Sequence, residues 1–350
     1  MRLVSFDYFR GIAILFIVAS HSYGAWIIDS LGERVIANII SGGTALFVFI
    51  SGFFFHHIFY KDFKLKDFMS KKAKNVLAPY LIISTLGFFY FAFSSEAFPF
   101  AEKLISSAVS SWYDYLRLYL SYLWTGRIMW AYWYIPFIMI VFLLSPLFIT
   151  YIRLSLAIRL SIMLLLLGFS AFFVHRPILS LSTTHSVIYF VPMYLLGINC
   201  SINREQFEHF LKGKTFILGL TVITLSVLQS MSSSSMGNIY TTEMFSYGPL
   251  DINIFQKIAL CFFFISLLHH YENTHMPILK LLASSSFAIY FLHTWILHIT
   301  DQFQIFGLFP NVPQILIFLG ITLFTVCISM AIAYAIKHVL KHNSRYVIGW

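Results

Sequence analysis

Three ionisable residues, Asp7, Arg10 and His21, stand within one apolar run near the start of the chain, VSFDYFRGIAILFIVASH. Such side chains are expensive in hydrocarbon, and those that persist there serve a ligand, a proton or a reaction. On an α-helix each residue turns about 100° and rises about 1.5 Å, so the step from Arg10 to His21 returns to within roughly 20° of the same face, about 16 Å further along. Asp7 precedes Arg10 by three residues, a spacing at which side chains pair on a helix. Pairing lowers the cost of holding a guanidinium near lipid. The bland reading leaves Asp7 and Arg10 snorkelling at the membrane surface, but His21 is too deep for that. An imidazole titrating near neutrality suits two roles: a base that takes a hydroxyl proton, or a nucleophile that carries an acyl group.

A second mid-depth histidine, His293, lies in SSSFAIYFLHTWILHIT with Tyr290 three residues earlier on nearly the same face. A hydrogen bond to a neighbouring helix is its plain reading, and contact with a bound substrate is its functional one. Trp130, Trp133 and Tyr134, in RIMWAYWYIPFIMI, fit an interfacial aromatic belt or stacking surfaces for a sugar ring. The segment KDFKLKDFMSKKAKNVLAPY carries six lysines, Lys61, Lys64, Lys66, Lys71, Lys72 and Lys74. It reads as a contact for anionic lipid head groups or as a dock for a phosphorylated metabolite.

The elements that must position these groups follow from composition. Of 350 residues 59% are hydrophobic and only 11% charged, with a mean hydropathy of +0.80, whereas about a quarter of the residues of soluble domains are charged. The chain reads as an all-α polytopic membrane protein, one domain over 1–350. Apolar runs long enough to span fall near 8–28, 38–60, 75–94, 130–151, 157–174, 183–200, 214–230, 252–270, 280–300 and 313–337, ten in all. The aromatic, amphipathic stretch 103–126 is expected to be an external re-entrant or surface-lying helix.

Lysines and arginines gather on alternate connections: Arg2 and Arg10, the six lysines of 61–74, Arg153 and Arg159, Arg204, Lys212 and Lys214, Lys280, and Lys337, Lys341 and Arg345. By the positive-inside rule these connections and both termini are cytoplasmic, which predicts an integral plasma (inner) membrane protein. The net charge of +9 then follows largely from topology, so nucleic acid is not an expected partner, whereas membrane lipid is. Cys200, Cys261 and Cys327 lie in or beside expected spans without CxxC spacing, so neither a disulfide framework nor a metal site is expected. No phosphate-binding glycine loop is present. Gly42, Gly43 and the pair Ser51-Gly52 allow close helix approach.

Taken together, these segments resemble the acyltransferase-3 family of integral membrane acyltransferases. FDYFRGIAILFIVASH is similar to its first-helix pattern D-x-x-R-G-x-A with a histidine eleven residues after the arginine, matched by Asp7, Arg10, Gly11, Ala13 and His21. GTALFVFISGFFF, LAPYLI, WYIPFIMIVFLLSP, MYLLGI and FAIYFLHTWIL resemble its later segments in order. The resemblance implies transfer of an acyl group, commonly acetyl, from cytosolic acetyl-coenzyme A to a glycan or lipid-linked sugar. One departure stands out. The family's Arg-x-x-Arg pair before the Pro-Tyr falls on Lys72 and Asn75, with Lys71 and Lys74 at the same spacing one residue earlier, and lysine lacks arginine's bidentate fork.

These readings converge on one expectation. His21 acts as general base or as transient acyl carrier, with Asp7 and Arg10 orienting the helix and contacting the donor. Arg10, Lys71, Lys72, Lys74 and Asn75 hold coenzyme A; Trp130, Trp133, Tyr134, Tyr290 and His293 meet the acceptor. The rivals are a secondary transporter or flippase for a glycan, and a non-catalytic scaffold. No inverted repeat and no matched pair of Gly/Pro-broken helices, the marks of many transporters, is visible in the sequence.

Overall fold

Histidines and cations reach their places because of where the helices stop. The computed structural model describes residues 3–105, 109–177, 181–232, 243–304, 308–309 and 311–350; Arg2 and residues 106–108 of the amphipathic stretch lie outside them. The α-helices are α1 (Val4–His21), α2 (Leu31–Ile40), α3 (Thr44–Phe54), α4 (Leu65–Lys72), α5 (Ala78–Phe93), α6 (Ala101–Leu104), α7 (Trp112–Thr125), α8 (Tyr134–Leu143), α9 (Ser145–Ile152), α10 (Leu156–Phe169), α11 (Thr183–Ile202), α12 (Arg204–Leu211), α13 (Thr215–Ser232), α14 (Ile252–His269), α15 (Pro277–Gln302), α16 (Gln314–Leu340) and α17 (Ser344–Ile348). Among the described residues nine helical segments are long and apolar enough to cross a membrane, and α8 with α9, bent by 53°, can form a tenth. The protein is an all-α polytopic membrane protein, with crossings where the apolar runs were expected.

Several boundaries differ from those expected, each for a local reason. The first helix ends at His21 instead of running to 28, because Ser22 turns its hydroxyl back to Val18 O (2.9 Å) and Tyr23 donates to Ala37 O (3.0 Å), competing with further helix. The second span starts earlier, at Leu31, where Ser30 and Glu33 form a capping box that satisfies the first free N–H groups. It then breaks at 41–43, where Gly42 takes φ +81°. The third helical run begins at Leu65 and passes Pro79 through a π-turn at Ala73–Leu77, which absorbs the missing N–H and the ring clash of proline. Pro146, in the first turn of α9, marks the bend in the fourth span.

The stretch 103–126 does not add an eleventh crossing. At about 1.5 Å per residue, α7, with 14 residues, is too short to span. It folds back along α5: Thr85 pairs with Tyr119 at 2.8 Å, and Tyr80 donates to Tyr122 O and Leu123 O at 3.0 Å each. Gly126 ends it in the left-handed region with φ +69°, and a Cβ there would sit 2.5 Å from Trp133 Cα, so the chain doubles back tightly. Residues 126–133 are therefore irregular backbone inside the bundle, tolerated at such depth only where protein or a water-filled cavity surrounds it.

Two glycine contacts set the frame. Gly11 brings α1 against α15, where an added Cβ would lie 2.5 Å from Leu279 O; Gly52 and Gly197 do the same between α3 and α11, at 2.0 Å from Tyr194 O and 2.1 Å from Phe49 O. Small residues let backbones approach where lipid supplies no hydrophobic drive between helices. At the start of α1, Glu272 accepts from the N–H groups of Val4 and Ser5, both at 2.8 Å. A carboxylate there satisfies orphan donors and meets the positive end of the helix dipole. Tyr8 donates to Thr274 O (2.7 Å) and accepts from Met276 N (3.1 Å), so α1 and α15 start side by side and run parallel.

Candidate functional site

Parallel packing carries His21, the last residue of α1, to His293 in α15, with Nδ1 of His21 2.9 Å from Nε2 of His293. The rings lie nearly parallel, centroids 5.2 Å apart. His293 is fully buried, and its Nδ1 faces Tyr290 O at 2.7 Å and Ile289 O at 3.1 Å. A carbonyl only accepts, so the network assigns the proton of neutral His293 to Nδ1 and leaves Nε2 as acceptor. His21 must then donate from Nδ1. Its own Nε2 carries the lone pair. Two histidines in series thus fix the tautomer in which the outer one is a base.

His21 lies on the wall of a cavity of about 410 Å³, together with Ser20, Thr44, Trp130, Trp133, Tyr134 and Tyr290. The two interrupted segments meet there: Ser41, Gly42, Gly43 and Thr44 from the break between α2 and α3, and Arg127, Trp130, Ala131 and Trp133 from the irregular stretch before α8. Helix interruptions were not visible in the sequence because a Ser-Gly-Gly run inside an apolar segment also reads as close packing. Gly42 is required in this turn: besides its positive φ, a Cβ would press on Lys257 Cε at 2.9 Å and Asn253 Oδ1 at 3.2 Å.

The aromatic residues expected at the acceptor site are brought together here. Trp130 is 67% exposed, Trp133 stacks on Phe190, Tyr134 is hydrogen-bonded to Ser51, and Tyr290 donates to Ala131 O. His293 differs from expectation: it stands behind His21 and not on the cavity wall, so any part it takes runs through its neighbour. His293→Leu is expected to lower kcat about 10²-fold at unchanged KM, with partial rescue by His293→Gln, whose amide oxygen can still accept. Steady-state kinetics of the two variants check this.

The stripe of Asp7, Arg10 and His21 is divided among three places. Asp7 lines a separate cavity of about 230 Å³ with Glu272, His275 and Lys280. Arg10 donates through Nε (2.9 Å) and Nη2 (2.6 Å) to Ala283 O, tying α1 to α15. Only His21 reaches the main cavity. Lys71, Lys74 and Asn75 are exposed and line neither of these two cavities. Lys72 turns its ammonium over the rings of Phe59, Phe68 and Phe142, 4.4–5.2 Å from their centroids, a cation–π environment that already engages it. Phe287 lines the main cavity and lies close to Asn75: a Cβ on Gly349 would touch both Phe287 Cβ at 3.0 Å and Asn75 O at 3.3 Å.

Sequence reasoning missed the cavity's cations, Lys103, Arg127 and Arg176. A signal for them existed. Arg34, Lys103, Arg117, Arg127, Arg176 and Lys257 are the lysines and arginines left over once the basic connections are assigned, and residues not explained by topology need another reason to be basic.

Compared with known families, residues 3–334 match the model of the acyltransferase domain of the acyltransferase-3 type. The chain belongs to the acyltransferase-3 family. No curated protein and no solved structure matches it. Membership assigns the class of chemistry, membrane acyl transfer, to an integral membrane protein. Within this acyltransferase His21 stands on the cavity wall, with His293 paired to it from behind.

Proposed function

We propose that this acyltransferase moves an acyl group, acetyl in the first instance, from cytosolic acyl-coenzyme A to a hydroxyl of a cell-surface or lipid-linked glycan, with both termini cytoplasmic in the plasma (inner) membrane. The observation that carries the proposal is the pairing of His21 with His293 on the wall of an aromatic-lined cavity. His21 Nε2 takes the proton of the acceptor hydroxyl as that oxygen attacks the thioester carbonyl. His293 accepts from Nδ1 throughout and steadies the imidazolium. When the carbon–sulfur bond breaks, His21 returns the proton to the departing thiolate, so the ring ends as it began.

Trp130 and Trp133 offer flat faces for a sugar ring, and Lys71 and Lys74 offer charge to the donor's phosphates. Acetyl-coenzyme A is expected to raise the melting temperature of the purified protein, and neutralising both lysines (Lys71→Gln with Lys74→Gln) is expected to remove most of that shift. Absence of any shift in the wild type at saturating donor rejects coenzyme A as the carrier.

A further inference from the structure

Arg159 stands in the first turn of α10 with only 5% of its surface exposed. A guanidinium does not deprotonate in proteins, so burial leaves Arg159 with a charge that something must balance. Among the described residues no carboxylate lies within ion-pair distance of it, and its Nε has no hydrogen-bond partner. The segments outside the described residues contain no Asp or Glu. The groups it meets electrostatically are His56 and Tyr151, and neither is an anion at neutral pH. Both are engaged elsewhere. His56 Nδ1 pairs with Ser201 Oγ at 2.8 Å, while Tyr151 donates to Arg159 O at 2.9 Å and accepts from Asn199 Nδ2 at 2.7 Å.

The start of α10 makes the same demand independently. Its N-cap, Ser155, forms no side-chain capping hydrogen bond, so the first-turn N–H groups are left to outside partners at the positive end of the helix dipole. A cation in that turn adds to the positive potential instead of offsetting it. Helical side chains lean back toward the N-terminus of their helix, which brings the Arg159 guanidinium toward those free donors. One oxyanion at this place satisfies both, and the planar fork of arginine matches a phosphate in a bidentate way.

The surroundings indicate what carries the phosphate. Leu156, Ile158 and Leu160 flank Arg159 and are exposed, and Leu164 and Leu165 continue the exposed apolar surface along the helix. This helix belongs to a span over Leu156–Val174, so that surface faces acyl chains. Arg159 lines neither the cavity at His21 nor the one at Asp7. We propose that Arg159 and the start of α10 seat the phosphate of an anionic phospholipid, whose chains lie along the exposed leucines of α10. The leaflet is the one at the N-terminal end of α10, the cytoplasmic leaflet in the orientation proposed above. The lipid site is separate from acyl transfer and does not depend on it.

Thermal unfolding of the purified, delipidated full chain in a neutral detergent, titrated with dioleoylphosphatidylglycerol, tests this. The wild type is expected to melt higher with phosphatidylglycerol and not with dioleoylglycerol, which has the same chains and no phosphate. Arg159→Gln is expected to raise the titration midpoint about tenfold, the step that one charged hydrogen bond supplies. Before lipid is added it is expected to melt no lower than the wild type, because an unpaired buried charge has been removed. Arg159→Lys keeps the charge without the fork and is expected to fall between the two. Arg153→Gln, at an exposed position of the same connection, is expected to leave the titration unchanged. Equal gains from the two lipids overturn the proposal whatever the variants do. A lipid-free Arg159→Gln protein that melts well below the wild type also overturns it, because the guanidinium would then be engaged within the protein. A midpoint change in Arg153→Gln as large as in Arg159→Gln marks diffuse attraction to a basic rim and rejects the site. Stabilisation of the wild type by inorganic phosphate or acetyl-coenzyme A that Arg159→Gln loses assigns the anion to a soluble phosphate and rejects the lipid.

Discussion

His21→Ala is expected to lower acyl transfer by about 10²–10⁴-fold, the range that one positioned base contributes, with the protein folded and its donor-induced stabilisation retained. The fold is spared because His21 is the last residue of α1, and α1 is fixed at its other end by Glu272, Tyr8 and the Arg10 tie to Ala283. Removing the ring leaves His293 with an unfilled acceptor nitrogen, a local cost of about 1–3 kcal/mol that does not reach the α1–α15 contact at Gly11. His21→Gln sharpens the test, because an amide can keep a hydrogen bond to His293 but takes no proton. Single-turnover mixing with labelled donor measures both variants. It also separates the two roles open to His21, since a label on the histidine in the absence of acceptor marks a carrier.

The largest effect on stability is expected at the α3–α11 crossing. A Cβ on Gly197 would lie 2.1 Å from Phe49 O and 2.7 Å from Phe53 N, and those are backbone atoms of a packed helix that cannot swing away. Gly197→Ala therefore forces the helices apart, at a cost of about 1–3 kcal/mol or more, and α3 carries the turn at Gly42 and Gly43 that forms one wall of the cavity. The variant is expected to melt earlier and to lose transfer through misplacement of the site. Gly168→Ala is the control. Nothing lies within 4 Å of a Cβ at Gly168, so the same change there exchanges a poor helix former for a good one and should be neutral or slightly stabilising. Thermal unfolding of the two variants in one detergent makes the comparison. Equal melting temperatures would mean that the α3–α11 contact is looser than described.

Much of this architecture is legible along the chain because its signals are local. Apolar runs mark the crossings, and a helix face can be counted from Arg10 to His21. The depth of His293 follows from where its span begins. What escapes a linear reading depends on partners far away in sequence. His293 looked like a substrate contact because depth and a nearby Tyr290 say nothing of which neighbour its Nε2 meets; only the parallel packing of α1 and α15 puts His21 there. Arg10 looked like a donor contact because its face was known and its acceptor, Ala283 O, was not. Lys72 looked like part of a phosphate dock, but the chain alone does not reveal the ring of Phe142 beneath its ammonium. The capping box at Ser30 and Glu33 was readable as Ser-x-x-Glu and would have started the second span at Leu31. Arg127 and Arg176, far apart in sequence, join one wall only in the folded bundle.

Mass analysis of cell-surface glycans from otherwise identical strains, one producing the wild-type chain and one His21→Ala at equal membrane abundance, tests the central claim most directly. An acyl increment on the glycan of the wild-type strain that disappears in the His21→Ala strain is the predicted result. An increment that persists at the wild-type level with His21→Ala contradicts it.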